Sequence, residues 1–407
     1  MSSSNTEIEE SSAISSPSQH PKHQQLQNLP SNSSPVISIQ SPQSQIYSPI
    51  YQGNGSPYMC PKQQTQQPGF PPNYTKQAVQ FNYFHQHHDT EHKIIADDLK
   101  NFRVAFTSEN KDDKLIRSID FCASGMAGLF NTKDIIKFVW LDPEYPQEHA
   151  FKVSKYGSGI CRFLNPYDRI IHTSTKVDDF VRLFNVGKNG YDIYFKGHSS
   201  EVTGLEAFPL WNNNFVSASK DNTIKYWDIR HENCVKSINI NKCPLIACHP
   251  KDLQVAVAYA SDKSTCVIEI YDLRKLETDD PVTKFYFDDQ EFEWKVLKFS
   301  NNGKYLMINT SSALTLMIDV ATGKMCNRLY GYNNKLSLPI DTCFTPDSKF
   351  VLGGSQDGKV HIWNLETHDK IILDKPTKGS TNKIIFNPAF MCFATAGEKF
   401  HLWIEKQ

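Results

Sequence analysis

The chain has 407 residues, 39% of them hydrophobic and 12% aromatic, and its 43 Lys and Arg against 44 Asp and Glu give a formal net charge of −1. So even a balance gives no sign of a general polyanion binder, though it leaves room for a local basic patch, and no direct sequence-specific nucleic-acid partner is expected. The ten cysteines, Cys60 to Cys392, form no CxxC or close regular pairing, no apolar run approaches the roughly eighteen residues that span a bilayer, and MSSSNTEIEE does not read as a secretory signal, so the expectation is a soluble intracellular chain with free thiols and no membrane partner.

Residues 1–95 differ in kind from the rest. Eleven of the 22 prolines lie between Pro17 and Pro72, whereas all six tryptophans lie at or after Trp140. A Ser/Gln/Pro-rich segment buries too little apolar surface to offset its ordering entropy, so a disordered tail is expected over 1–95. Five Ser-Pro pairs, from Ser16-Pro17 to Ser56-Pro57, are open to proline-directed phosphorylation, which would add charge and could recruit a partner. The histidines clustered in FNYFHQHHDTEH (81–92) have no cysteine among them, and no metal site is assigned to them.

From residue 96 to 407 the chain repeats. β-rich runs end in an aromatic residue or an apolar-Asp/Asn pair at Trp140, Phe184-Asn185, Trp227-Asp228, Tyr271-Asp272, Ile318-Asp319, Trp363-Asn364 and Trp403, at intervals of 44, 43, 44, 47, 45 and 40 residues. A second register agrees: an apolar residue opens a turn in FCASG (121–125), FLNPYD (163–168), FPLWNN (208–213), CHPKD (248–252), FSNNG (299–303), FTPDS (344–348) and FNPAF (386–390). The interval is that of a four-stranded blade, and the short alternating strands between markers fit one, so an all-β fold is predicted: a seven-bladed WD-repeat β-propeller. The last unit ends near Trp403 with no chain left for its outermost strand. The one unassigned β-like run, NFRVAFTSE (101–109), is predicted to supply it and close the ring, which leaves only short protected sheet edges.

The third unit, KGHSSEVTGLEAFPLWNNNFVSASKDNTIKYWDIR (196–230), contains His198, Ser217, Asp221 and Trp227. Ser, His and Asp suggest a hydrolytic triad, but their spacing resembles that of a WD repeat, where the four side chains form a buried hydrogen-bond relay in which each polar group satisfies another. Ser174, Asp178 and Phe184 repeat the spacing in the second unit. Asp357 and Trp363 do so in the sixth, with Gly331-Tyr332 in place of Gly-His and Gly353 at the Ser position. There is no GxxxxGK[ST] loop, HExxH or zinc-spaced Cys/His set, so no catalytic residue, metal or cofactor is assigned and a non-enzymatic protein is expected.

Beyond these repeats the chain resembles, in order from about residue 100 to its C-terminus, the WD-repeat subunit of the COMPASS-type histone lysine methyltransferase complex, a subunit shared with cleavage/polyadenylation and protein phosphatase one complexes. The resemblance rests on KYG with RLFN in the second unit (155–186), FEW before the fifth (292–294), GYNNK (331–335) and FNPAFMCFATA (386–396). It departs in the first unit, where a lengthened blade edge is expected, in an insertion SDKSTC (261–266) in the fourth, and in the tail. What the resemblance implies is a nuclear scaffold that binds the SET-domain methyltransferase catalytic subunit and its companions and links them to the phosphorylated tail of transcribing RNA polymerase II, for methylation of lysine four of histone three. A phosphorylated peptide calls for surface cations, and Arg162, Arg182, Lys220 and Lys225 are the candidates. Two other readings stand beside it: a subunit of a termination and polyadenylation complex, and a substrate receptor of a cullin-type ubiquitin ligase. The last is motivated by Asp228 and Arg230, and by Asp272 and Arg274, which resemble adaptor-docking WDxR boxes.

Overall fold

The computed structural model describes residues 94–405 except 110–114, 142–145, 165–167, 241, 262–263, 276, 289–290 and 376–377. The tail assigned to 1–95, including its Ser-Pro pairs and histidine cluster, lies outside the described residues apart from Ile94 and Ile95.

Twenty-eight strands form seven four-stranded antiparallel sheets. Each strand is four to eight residues long, save Thr342–Phe344, and alternates between two buried faces or one buried and one open face. In six blades the strands pair in simple chain order. The seventh blade is completed by Phe102–Glu109, which pairs antiparallel with the C-terminal strand Lys399–Glu405 from Phe102 opposite Glu405 to Glu109 opposite Lys399. The predicted closure is therefore what the chain does. The fourth-unit insertion begins after strand Gln254–Ala260, and its last residue, Cys266, opens strand Cys266–Asp272.

The core lies between blades. Its buried apolar side chains form seven clusters, each contributed by two adjacent sheets. Sheet-on-sheet burial of this kind supplies most of a propeller's stability and makes each blade depend on its neighbours. Two clusters flank the closure. Between blades 6 and 7, Phe102 sits 5.0 Å from Phe393, which stacks on Trp403 at 5.2 Å. Between blades 7 and 1, Phe130 stacks on Phe400 at 4.6 Å. A one-turn helix, Ala96–Lys100, precedes the closing strand and buries Leu99 in the first of these clusters. Ile94 joins it at 2% exposure, so the packed core reaches back to the end of the segment expected to be tail. All nine cysteines among the described residues are free.

Candidate interaction surfaces and the central channel

In blade 3 the relay is built from three elements. His198 lies in the loop before strand Val202–Ala207, Ser217 in strand Asn214–Ser219, and Asp221 in the tight turn that follows. His198 Nδ1 is 2.9 Å from Asp221 Oδ2 and its Nε2 is 2.7 Å from Ser217 Oγ, which also accepts from Trp227 Nε1 at 2.8 Å. Asn222 takes φ 63° in the turn, a conformation asparagine tolerates. Burial alone would raise the Asp221 carboxyl, but donation from Thr223, the Ser199 amide and His198 outweighs it and holds the group at about 2. Burial pushes His198 below the ordinary imidazole value. Ser217 and Trp227 are fully buried, so the serine oxygen is spent on two neighbours and has no path to a substrate.

The other blades keep fragments of this relay. In blade 2 the turn between Thr173 and Val181 spans 174–180, two residues more than 219–223 in blade 3. That shift puts His172, not Ser174, opposite Arg182 in the place Ser217 holds opposite Lys225. Ser174 Oγ instead donates to the Phe180 carbonyl, and Asp178 binds Arg182. In blade 6, Gly353 has no hydroxyl to offer; Trp363 Nε1 donates to the Tyr330 carbonyl at 3.2 Å, and Asp357 accepts from the Lys359 amide. The expected relay among Ser174 and Asp178, or Asp357 and Trp363, is thus not formed. Blade 7 holds a half relay that sequence spacing missed, Trp403 Nε1 donating to Thr395 Oγ1 at 2.9 Å.

Burial pushes the imidazoles of His172, His361 and His401 down to about 4. All three are inside the fold, at 0%, 3% and 0% exposure. The folded state refuses protons that the unfolded chain accepts below its ordinary histidine value, so their contribution is intact above about 6.5 and is lost as pH falls towards 4. Each is expected to cost on the order of 3 kcal/mol over that window. Urea unfolding followed from pH 7 to pH 4 should show the midpoint falling, with His401→Gln flattening the fall; a pH-independent midpoint would contradict the assignment.

The four candidate cations do not converge on one surface. Arg182 is 1% exposed, paired through both terminal nitrogens with Asp178 at 2.8 and 2.6 Å, and laid 3.7 Å over the Tyr156 ring. It is an internal brace, because its charge is already neutralised and its stacking face occupied. Arg162 lines the central channel, bound to Glu206 at 2.8 Å. Lys220 pairs with Glu201 at the surface and Lys225 reaches Ser237 Oγ at 2.8 Å. Arg230 and Arg274 fold back on Asp228 and Asp272 at 2.5 and 2.7 Å, though both arginines stay more than half exposed.

The innermost strands line a cavity of about 630 Å³. Its charged residues are Arg117, Asp120, Arg162, Glu206, Lys295, Lys298, Asp341 and Lys383, none of which except Arg162 was singled out by sequence spacing. The signal was present as a charge within otherwise apolar inner strands, as in SIDF (118–121) and WKVLKF (294–299). Burial pushes Asp120 up to about 6 against the opposing pull of Arg162. Burial would also raise Asp341, but Lys298 and Lys383 together hold it below the usual carboxylate range. Among the described residues no cluster of His, Cys, Asp and Glu is placed to hold a metal ion.

The family described as WD domain, G-beta repeat matches residues 192–228 and 327–364, the two units whose turn and tryptophan signals are plainest. Over 313 residues, 77% of this chain and 97% of the relative, the sequence is 32% identical to WD repeat-containing protein 82 of Drosophila melanogaster. The chain belongs to the family of that protein. Other members by similarity are the COMPASS component SWD2 of Saccharomyces cerevisiae, 27% identical over 74% of this chain and 94% of the relative, and the Set1 complex component swd2 of Schizosaccharomyces pombe, 30% identical over 65% and 72%. In this member of the family the Ser-His-Asp set of blade 3 and the Arg182–Asp178 pair are both engaged within the ring.

Proposed function

We propose that this protein is a non-catalytic WD-repeat scaffold subunit of a COMPASS-type histone methyltransferase complex in the nucleus, joining a SET-domain catalytic subunit to its companions and to transcribing RNA polymerase II for methylation of lysine four of histone three. The observation that carries the reading is similarity over nearly the whole ring to proteins named as components of the COMPASS and Set1 complexes. The geometry is compatible with it: a ring closed by pairing strand Phe102–Glu109 with strand Lys399–Glu405 presents loops with little backbone reorganisation on binding, and the Ser-His-Asp set is locked in a buried brace. Because Arg182 and Arg162 are already paired, contact with a phosphorylated polymerase tail falls to other groups.

Tagged purification from nuclear extract, with the full chain and with a chain beginning at residue 93, tests the reading. Recovery of a SET-domain methyltransferase by both is the expected result and assigns binding to the ring. Termination factors without the methyltransferase, or a ligase adaptor recruited through Arg230 and Arg274, would overturn it.

A further inference from the structure

Three of the cations in the channel, Arg117, Lys295 and Lys383, stand where innermost strands begin, and a fourth, Lys298, lies deeper. Arg117 immediately precedes the innermost strand of blade 1, Lys295 is the second residue of that of blade 5, and Lys383 the first of that of blade 7; Lys298 lies one turn of pleat deeper. Between them stands the largely enclosed carboxylate of Asp341, whose Oδ2 is 3.5 Å from Lys383 Nζ and 3.8 Å from Lys298 Nζ. Both separations exceed the 2.7–2.9 Å of a tight charge-assisted contact, so one oxygen serves two ammonium groups loosely. Lys295 is paired at 2.7 Å with Glu293, whose side chain is 71% exposed. Arg117 makes no ion pair among the described residues, and its Nε is buried without a partner. Arg162 of blade 2 is bonded to Glu206 and also feels the carboxylates of Asp120 and Asp341.

The placement of Lys295 is a built feature. Strand side chains alternate, so residues 295 and 298 of a regular strand would point to opposite faces. Here the register shifts between Trp294, opposite Thr310, and Val296, opposite Asn309, leaving Lys295 as the extra residue of a β-bulge. A bulge re-aims a side chain, and this one lets Lys295 and Lys298 line the channel together. Blade 3 has the same irregularity between Val202 and Gly204, but there the extra residue is Thr203.

We propose that this part of the channel is a binding site for a small, free, phosphate-rich anion, held by Lys295, Lys298, Lys383 and Arg117. The five cations Arg117, Arg162, Lys295, Lys298 and Lys383 against Asp120, Glu206, Asp341 and the exposed Glu293 leave an excess of one positive charge in a partly enclosed space, where screening is weak and an oxyanion can add acceptors. A cavity of about 630 Å³ accommodates a compact polyphosphate but not a folded partner. Bound there, the anion would tie blades 5, 7 and 1 together around Asp341 of blade 6.

Isothermal titration of the full chain with tripolyphosphate at matched ionic strength tests this, with sulfate and a phosphoserine peptide as parallel arms. The expected result is saturable one-to-one binding of tripolyphosphate, weakened about tenfold or more in Lys295→Gln/Lys383→Gln. Lys295→Gln alone, which strands only an exposed carboxylate, should lose several-fold in affinity with the unliganded unfolding temperature unchanged, and Lys220→Gln should bind as the parent does. Absence of saturable binding, equal loss in Lys220→Gln, undiminished binding in Lys295→Gln, or saturation by the phosphoserine peptide where tripolyphosphate fails would overturn the proposal.

Discussion

Phe102→Ala is expected to destabilise the ring by about 3–5 kcal/mol, the range for deleting a buried phenylalanine from a packed core. The effect is large because of what the residue closes. Phe102 opens the only strand that the N-terminal segment adds to blade 7, it is 6% exposed, and its ring meets Phe393 at 5.0 Å and Phe386 at 6.3 Å. Its loss leaves a cavity at the seam between blades 6 and 7 and loosens the hold on Ile94 and Leu99. In a closed ring a weak seam exposes two sheet edges at once, so urea denaturation should show an earlier transition and the variant should aggregate on heating. Arg103→Ala, on the exposed side of the same strand, should fall within about 0.5 kcal/mol of the parent. Equal behaviour of the two variants would show that the terminal strand does not carry the closure.

The relay of blade 3 gives the second large effect. Ser217→Ala removes the shared hydroxyl, leaving Trp227 Nε1 buried without an acceptor and His198 Nε2 buried without a donor, at an expected cost of about 2–3 kcal/mol. His198→Ala should cost a similar amount by stranding Ser217 and Asp221, and because the two residues act through one network their double variant should cost less than the sum. The same network makes Asp221 an acid sensor of the blade. Its depressed carboxyl contributes stability above the ordinary Asp value, and that contribution is lost as pH falls from about 4 to about 2. Chemical denaturation of the two single variants and the double variant measures the coupling; strict additivity would contradict a connected relay.

What could be read from the chain divides along physical lines. The seven units were legible because aromatic markers and turns recur at the period of a blade, and the closing strand followed from counting strands against chain left over. Blade 3 was legible because its relay is complete. Blade 2 misled because spacing counts residues along the chain, whereas two extra residues in its turn moved His172 into the place expected for Ser174. Blade 6 kept Asp357 and Trp363 but lost the hydroxyl between them, and a relay without its middle acceptor is not a weaker relay but separate contacts. The cations misled for another reason: a sequence shows charge but not the partner, and Arg182 with Asp178 illustrates how a nearby carboxylate turns a surface candidate into a brace. The channel lysines were hidden because a bulge, invisible to alternation, decides which way Lys295 faces.

The proposed function requires that the ring itself engage a SET-domain methyltransferase subunit. Titration of the purified full chain with the N-terminal region of that catalytic subunit tests it most directly. One-to-one saturable binding, retained by a chain beginning at residue 93 and lost in Phe102→Ala at temperatures where the seam has opened, is the predicted result. A folded ring that gives no saturable binding would contradict the account.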